Sequence, residues 1–388
     1  MTTQSGWIEN LSRFETVDEL RCSEFYLQNH GRILSFLQTP QLFVHESATP
    51  RLNAFLRVVQ WNIEKGKRFD PILDLFRSNE ILKYADIIIL NEADYGMNRS
   101  QNRHVARELA ERLGMHMVFG PAHFELTNGT GDDQVVEGKN QESLQGNAVL
   151  SRYPVCEAVV IPLPVTFEPY EFEEKRFGNR CCLWAKLQLR KSFLWVGSVH
   201  LELRNTPRCR AMQVRHIIKN LPGEEREAIL LGGDLNTNSF RRGNTWRTVL
   251  SIFRILFYPA TRVKRQLLHP ERGFEPLFHV LKREGFFWNT LNSNEETACT
   301  DINTLEETDV LPDFLMRAVK KRLRPYNGYL YFKLDWFMGR QLRALSGGQR
   351  QDTGTGIVSL EPGKLNQKNY GPDRTSDHVP IYVDLDLR

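Results

Sequence analysis

The stretch Ala228-Ile229-Leu230-Leu231-Gly232-Gly233-Asp234-Leu235-Asn236 decides how the chain is read. A short apolar run that ends in glycines, an acid and an amide reads as a buried strand emptying into a polar loop. The same pattern recurs along the chain. Phe55–Gln60 runs into Trp61-Asn62-Ile63-Glu64, Asp86–Leu90 into Asn91-Glu92-Ala93-Asp94, and Phe193–Val199 into His200-Leu201-Glu202. Ala148–Leu150 follows Gly146-Asn147, Leu334-Asp335-Trp336-Phe337-Met338 is a further short run, and Val379–Leu387 comes directly after Ser376-Asp377-His378. Helical periodicity lies between these runs, over Phe69–Tyr84, Arg99–Leu113 with Gly114 as a stop, and Cys209–Asn220. The rhythm is one of alternating strands and helices with some strand–strand neighbours.

Composition narrows the class. Of the 388 residues, 41% are hydrophobic and 25% charged, which excludes wholesale disorder and fibrous architectures. The net charge of +4 does not by itself point to nucleic acid. The longest apolar run falls far short of the roughly 20 residues that span a bilayer. Six cysteines (Cys22, Cys156, Cys181, Cys182, Cys209 and Cys299) are too few for a disulfide scaffold, and none shows CxxC spacing. The first residues carry no basic region followed by an apolar one, so a cytoplasmic protein with reduced thiols is expected.

Residues 1–54 read as an extension packed on a main domain of residues 55–388, with Thr16 and Glu19 spaced as a helix capping box. Residues 125–145 and 340–375 read as polar surface loops, the first a candidate for mobility. Residues 239–285 form a basic, aromatic insertion: from Arg241 to Arg283 there are ten Lys or Arg against two Glu, interleaved with Phe253, Phe257, Tyr258 and Phe274. That segment is open to three readings. It is a nucleic-acid contact, a membrane-surface helix built on Val249–Tyr258, or a helical subdomain with a solvated basic face.

The strand ends place polar residues at i and i+2: Asn62/Glu64, Glu92/Asp94, His200/Glu202 and Asp234/Asn236. Were each strand to continue, both members would face one way. Each pair alone also reads as an ordinary turn or helix cap. Together they describe one shared site at one edge of the sheets. Carboxylates gathered there need a compensating cation, and oxygen ligands without cysteine or multiple-His spacing suit a hard one, Mg²⁺ or Mn²⁺. Such a cation commonly works on phosphate.

The ordered set of motifs resembles the endonuclease/exonuclease/phosphatase superfamily, with its deoxyribonuclease-I-like fold. The stretches that carry the resemblance are Gln60-Trp61-Asn62-Ile63-Glu64, Leu90-Asn91-Glu92-Ala93-Asp94, Gly146–Arg152, Val199-His200-Leu201, Gly233-Asp234-Leu235-Asn236, Leu334-Asp335-Trp336-Phe337 and Ser376-Asp377-His378-Val379-Pro380. The resemblance implies an α/β fold, a four-layer α/β/β/α sandwich with two packed mixed sheets. It implies Glu92 as principal metal ligand, with Asn62, Asp377 and Glu64 beside it. It implies Asp234 as the group that activates water, Asn236 as a holder of water or phosphate, and His378 on the scissile phosphate with Asp335 orienting it. His200 resembles a further phosphate or leaving-group contact, and Asn147 a supporting, substrate-side residue.

The stretch around Asp335 lacks the motif of inositol-polyphosphate 5-phosphatases, and Leu-Asn rather than the commoner Leu-Gln precedes Glu92. The long interval from Asn236 to Asp335 leaves the substrate open. The expected function is Mg²⁺- or Mn²⁺-dependent hydrolysis of phosphodiesters, most readily in nucleic acid, by a monomer. A lipid or small-molecule phosphodiesterase or phosphatase is the alternative, membrane lipid then being the partner. A catalytically silent binding module is the alternative of another class.

Overall fold

Val58, Ile87, Ile89 and Val149 alternate along their strands with Val59, Ile88, Leu90 and Leu150, and all eight are buried. Strands with two apolar faces need cover on both, which is why the runs look continuous in sequence rather than alternating. The computed structural model describes residues 4–386, apart from 172–173, 225, 240–249, 252, 255–256, 302–316, 319–320, 322–328, 370 and 372.

The strands are β1 (Gln41–Phe43), β2 (Leu56–Asn62), β3 (Ile87–Tyr95), β4 (His116–Glu125), β5 (Leu144–Ser151), β6 (Val155–Pro162), β7 (Arg176–Gly178), β8 (Cys181–Gln188), β9 (Phe193–His200), β10 (Ala228–Asp234), β11 (Ala298–Asp301), β12 (Tyr329–Phe332), β13 (Asp335–Arg340), β14 (Gly363–Lys364) and β15 (Ile381–Leu385). One sheet runs β1-β4-β5-β3-β2-β15-β14, with β7 on β4; the second runs β13-β10-β9-β8-β6; β11 and β12 pair separately. The pairs β2/β3 and β9/β10 are parallel, the others antiparallel. Each parallel pair needs a crossover, and the helices Phe69–Ser78 and Pro207–Lys219 supply them.

The inner faces of the two sheets meet in one core, with Val58, Ile87, Ile89 and Val149 against Leu183, Val196, Leu230 and Phe337. Helices Phe69–Ser78 and Val105–Leu113 cover the outer face of the first sheet. Helices Pro207–Lys219 and Leu277–Arg283 cover that of the second. The result is the four-layer α/β/β/α sandwich that the motifs led us to expect. At its centre, Gly233 on β10 approaches β9 so closely that a Cβ there would sit on the Val199 carbonyl oxygen. Only glycine lets Asp234 follow at that depth.

Residues 4–37 form three helices, whose Trp7, Leu11, Leu20, Ile33 and Leu37 pack with Phe124, Leu144, Tyr170 and Phe177. The Thr16/Glu19 capping box is formed, and β1 adds to the edge of the first sheet through β4.

Several local readings change. The helix expected over Phe69–Tyr84 ends at Ser78, because the Asn79 side chain accepts the Ile81 and Leu82 N–H groups and starts a separate 3₁₀ turn. The helix expected from Arg99 begins at Val105, since Arg99 turns inward to a buried ion pair with Asp94 at 2.8 and 3.0 Å. The loop 125–145 is tied down, with buried Asp133 accepting from Lys65 at 2.6 Å and Lys67 at 3.0 Å. In the basic insertion, Arg241, Arg242 and Arg247 lie outside the described residues. Beyond them Leu277, Phe278 and Leu281 enter the core while Arg262, Lys264 and Arg265 face solvent. All six cysteines are unpaired thiols, and no helix among the described residues is long and apolar enough to cross a membrane.

His104 gives the fold a pH dependence. Its ring stacks on Tyr95 at 4.1 Å and meets Phe119 edge-on at 5.1 Å. Burial, helped by Arg107, pushes it down to about 4. The folded chain therefore keeps this imidazole neutral, while the unfolded chain takes up its proton below about pH 6.5. Stability from this group is complete above that pH and is lost as the pH falls toward 4, by about 3 kcal/mol in all. Urea unfolding at pH 7 and pH 4.5 should show His104→Phe losing less stability on acidification than the wild type by a large part of that amount. Parallel losses in the two proteins would show that the imidazole is not held neutral.

Candidate active site

Asp234 ends β10 and its carboxylate is the meeting point of the site. Its Oδ2 accepts from Asn62 Nδ2 at 3.1 Å and lies 3.4 Å from His200 Nε2 and 3.8 Å from His378 Nε2. Its Oδ1 accepts the Asn236 N–H at 2.8 Å. Asn62 comes from β2, His200 from β9 and His378 from the segment before β15, so both sheets deliver residues to one carboxylate. Asn62 Nδ2 also reaches Glu92 Oε1 at 3.2 Å, and His200 Nε2 stands 3.9 Å from that same oxygen.

Two devices of the backbone aim these groups. In β3 the register slips between Leu90 and Ala93, and Glu92 takes a left-handed φ of 55°. That bulge turns Glu92 out of the pleat and toward the site. Asn236, just past the end of β10, takes φ 49° and folds its amide back on the Leu201 carbonyl at 2.8 Å. Left-handed φ at non-glycine residues concentrates at functional sites, where the surroundings must hold it.

The two histidines are tuned in opposite directions. Burial, reinforced by Arg180, holds His200 well below its usual value. Arg180 donates to His200 Nδ1 at 2.8 Å, which leaves the ring proton on Nε2, facing Asp234. Burial would also lower His378, but the carboxylates of Asp335, Asp377 and Asp234 outweigh it and hold the imidazolium well above the usual range. Asp335 Oδ2 accepts from His378 Nδ1 at 2.7 Å. Thr297 Oγ1 donates to that same oxygen at 2.6 Å, and Gln60 Nε2 to the other at 3.0 Å. Burial raises Asp234 to about 6, with Asp335 adding and His378 opposing.

Asp377 is likewise raised to about 6, chiefly by burial and further by Glu64 and Glu92, against the pull of His378. Glu64 accepts from Arg374 at 2.6 and 3.2 Å and from the Asp377 N–H at 3.1 Å, so it fixes the loop that presents Asp377. Among the described residues no three His, Cys, Asp or Glu side chains form a ready-made metal cage. The donor chemistry nevertheless fits a hard cation. Glu92 and Asp377 offer carboxylate oxygens, and burial with the neighbouring charges of Glu64 and Glu92 holds the Asp377 carboxyl up, a cost a cation there would relieve. The Asn62 oxygen accepts the Glu64 N–H at 3.1 Å, so a half-turn of the amide would be needed to add it as a ligand.

Not every expected residue faces the site. Asn147 is buried behind it, accepting from Asn91 Nδ2 at 3.0 Å and donating to the Cys181 carbonyl at 2.9 Å. Of the four i, i+2 pairs, three do not act as pairs. Asp94 is spent on Arg99, Glu202 lies 3.9 Å from Arg180, and Glu64 sits in a 3₁₀ turn beyond the end of β2. Bulges and chain turns at the strand ends break the alternation that the pairing assumed.

A family model described as "Endonuclease/Exonuclease/phosphatase family" matches residues 59–378. The chain belongs to that family. No curated protein sequence matches it. Among solved structures, a family member from Leptotrichia buccalis is 13% identical, with 85% of this chain and 99% of that one covered and a TM-score of 0.47. The human Nocturnin catalytic domain with bound sulfate anion is 16% identical, over 90% of this chain and 97% of that one, with a TM-score of 0.44. Beta toxin from Staphylococcus aureus is 15% identical, over 84% and 99%, with a TM-score of 0.45.

In this phosphoesterase-family member, sequence reasoning missed Arg180 and Thr297, which carry no local signal. It also assigned no role to Gln60 or Asn91, although polar side chains within apolar strand runs are a visible anomaly. Asp335→Asn should lower kcat about a hundredfold or more. In the same variant, an NMR titration should find His378 falling back toward about 6.5. An unmoved His378 titration would sink the assignment of Asp335 as its partner.

Proposed function

We propose that this protein hydrolyses phosphodiesters with the help of Mg²⁺ or Mn²⁺, and that its substrate is nucleic acid. The observation that carries the reading is the convergence of Asn62, His200 and His378 on the Asp234 carboxylate, with Glu92 one contact away. In this reading Glu92 and Asp377 hold the cation, whose charge would polarise a nonbridging phosphoryl oxygen. Asp234 takes the proton of the attacking water as the new O–P bond forms and the ester P–O bond opposite it breaks. A carboxylate raised to about 6 suits that task, being ionised at neutral pH yet basic enough to accept a proton. Asn236 positions the water or a phosphoryl oxygen. The Nε2–H groups of His378, as imidazolium, and His200, neutral, donate to oxygens on which charge builds as the leaving group departs.

A second reading has an observation of its own. Leu250, Phe253 and Phe257 are exposed, Phe257 by 73%, and the two phenylalanines stack on each other at 5.6 Å. Such an apolar face beside basic residues suits a membrane surface and a phospholipid headgroup phosphodiester.

A panel of single- and double-stranded DNA, abasic DNA, RNA, sphingomyelin, an inositol polyphosphate and bis-p-nitrophenyl phosphate, with and without Mg²⁺ or Mn²⁺, separates the readings. Metal-dependent turnover of a nucleic acid is expected. Asp234→Ala and His378→Ala should each cost about a hundredfold or more in kcat while the protein still folds. Turnover of sphingomyelin with no nuclease activity would overturn the nucleic-acid reading, and near-wild-type turnover in either variant would overturn the roles assigned here.

A further inference from the structure

On the chain that leaves the active site past Asn236 lies a cavity of about 520 Å³, within the roughly 300–1,000 Å³ usual for small-ligand sites. Its walls include Arg208, Arg254, Arg262, Tyr258, Phe274 and Gln266. Ser239 also lines it, only three residues past Asn236. From Asp234 to Ser239 the chain spans no more than about 18 Å, which bounds the distance from the catalytic carboxylate to this wall of the cavity.

Three features set the ligand chemistry. First, none of the three arginines has a carboxylate within ion-pairing distance among the described residues, whereas Arg210 nearby is paired with Glu275. Arg208 and Arg262 stand exposed at its mouth and Arg254 is half-buried; an unpaired arginine there offers its planar fork to an oxyanion. Second, the helix Pro207–Lys219 begins at the cavity wall, with Thr206 as its N-cap and no acidic residue in its first turn. The positive end of its dipole adds to the arginines. Third, the aromatic walls are Tyr258 and Phe274, with the Arg262 guanidinium 4.2 Å above the Tyr258 ring. Among the described residues the lining contains no Leu, Ile, Val or Met. Arginines interleaved with aromatic faces suit a phosphate with a base beside it.

We infer that this cavity binds a phosphate of a single nucleic-acid strand a few nucleotides away from the scissile bond, with the neighbouring base against Tyr258 or Phe274. The inference rests on the phosphodiesterase reading above and deepens it: the Arg208/Arg254/Arg262 cavity selects a polyanionic chain over an isolated phosphoester.

The test is fluorescence anisotropy with a labelled, phosphorothioate-linked DNA single strand of about ten nucleotides, in Mg²⁺, across a salt series. Arg254→Gln/Arg262→Gln should raise Kd about tenfold at 0.1 M salt. Each arginine removed should flatten the dependence of log affinity on log salt by about 0.7. Arg208→Gln, on a different element, is the independent variant if the double substitution does not fold, and should flatten the slope by one such step. Unchanged affinity and slope in folded variants would overturn the inference. So would variants that bind the strand normally but lose binding to phosphatidylglycerol vesicles. The underlying reading is tested apart from this, by wild-type hydrolysis of bis-p-nitrophenyl phosphate. Its absence, with strand binding and its arginine dependence intact, would remove the catalytic reading and leave the cavity standing.

Discussion

The arrangement depends on a buried hydrogen-bond network that joins the two sheets directly behind the site. Asn91 on β3 donates to Asn147 on β5, and across the sheet interface to Ser198 Oγ at 3.2 Å and the Val199 carbonyl at 3.0 Å on β9. Its own oxygen accepts from Gln60 Nε2 at 3.1 Å and from the Asp234 N–H at 2.9 Å. Gln60 reaches across in turn to Asp335. Sheets held only by apolar side chains could slide with little penalty. Buried amides cannot, because each displaced donor or acceptor would be left unsatisfied at a cost of about 1–3 kcal/mol. The network thus sets the register between sheets, and with it the distances around Asp234.

On that frame, one chemical group is used in two states. His200 and His378 both face the Asp234 carboxylate from within about 4 Å. Burial, reinforced by an arginine behind the first ring, keeps it neutral, and the carboxylates around the second outweigh the same burial and make it cationic. The partner on the far nitrogen thus reinforces burial in one ring and opposes it in the other. A buried Asp–Arg pair at Asp94 and Arg99, with Asp133 and Lys65 around it, stabilises the neighbouring loop without entering the site.

Much of the site was visible in sequence because its residues sit at the ends of apolar runs, where a buried strand surfaces. Asp234, His200, Asn62 and Glu92 all carry that mark. His378, Asp335 and Asn147 were reached through motif resemblance, and the structure sets Asn147 behind the site rather than on it. Arg180 and Thr297 could not have been found, since each lies in an unremarkable stretch and acts only through a partner far away in the chain. Asp94 was misplaced for a physical reason: period-two alternation holds in a regular strand, and the bulge at Glu92 ends it.

The order of apolar runs, turn residues and amphipathic segments therefore determined the layers, the strands and the residue types at one sheet edge, because hydrophobic burial has a period that local sequence records. Which carboxylate faces which histidine, which arginine stays unpaired in the cavity, and which acid is diverted into an ion pair were decided by tertiary structure alone. Those outcomes depend on contacts between strands hundreds of residues apart, such as Gln60 with Asp335 and Trp61 with the His378 carbonyl, and on backbone turns that no local periodicity encodes.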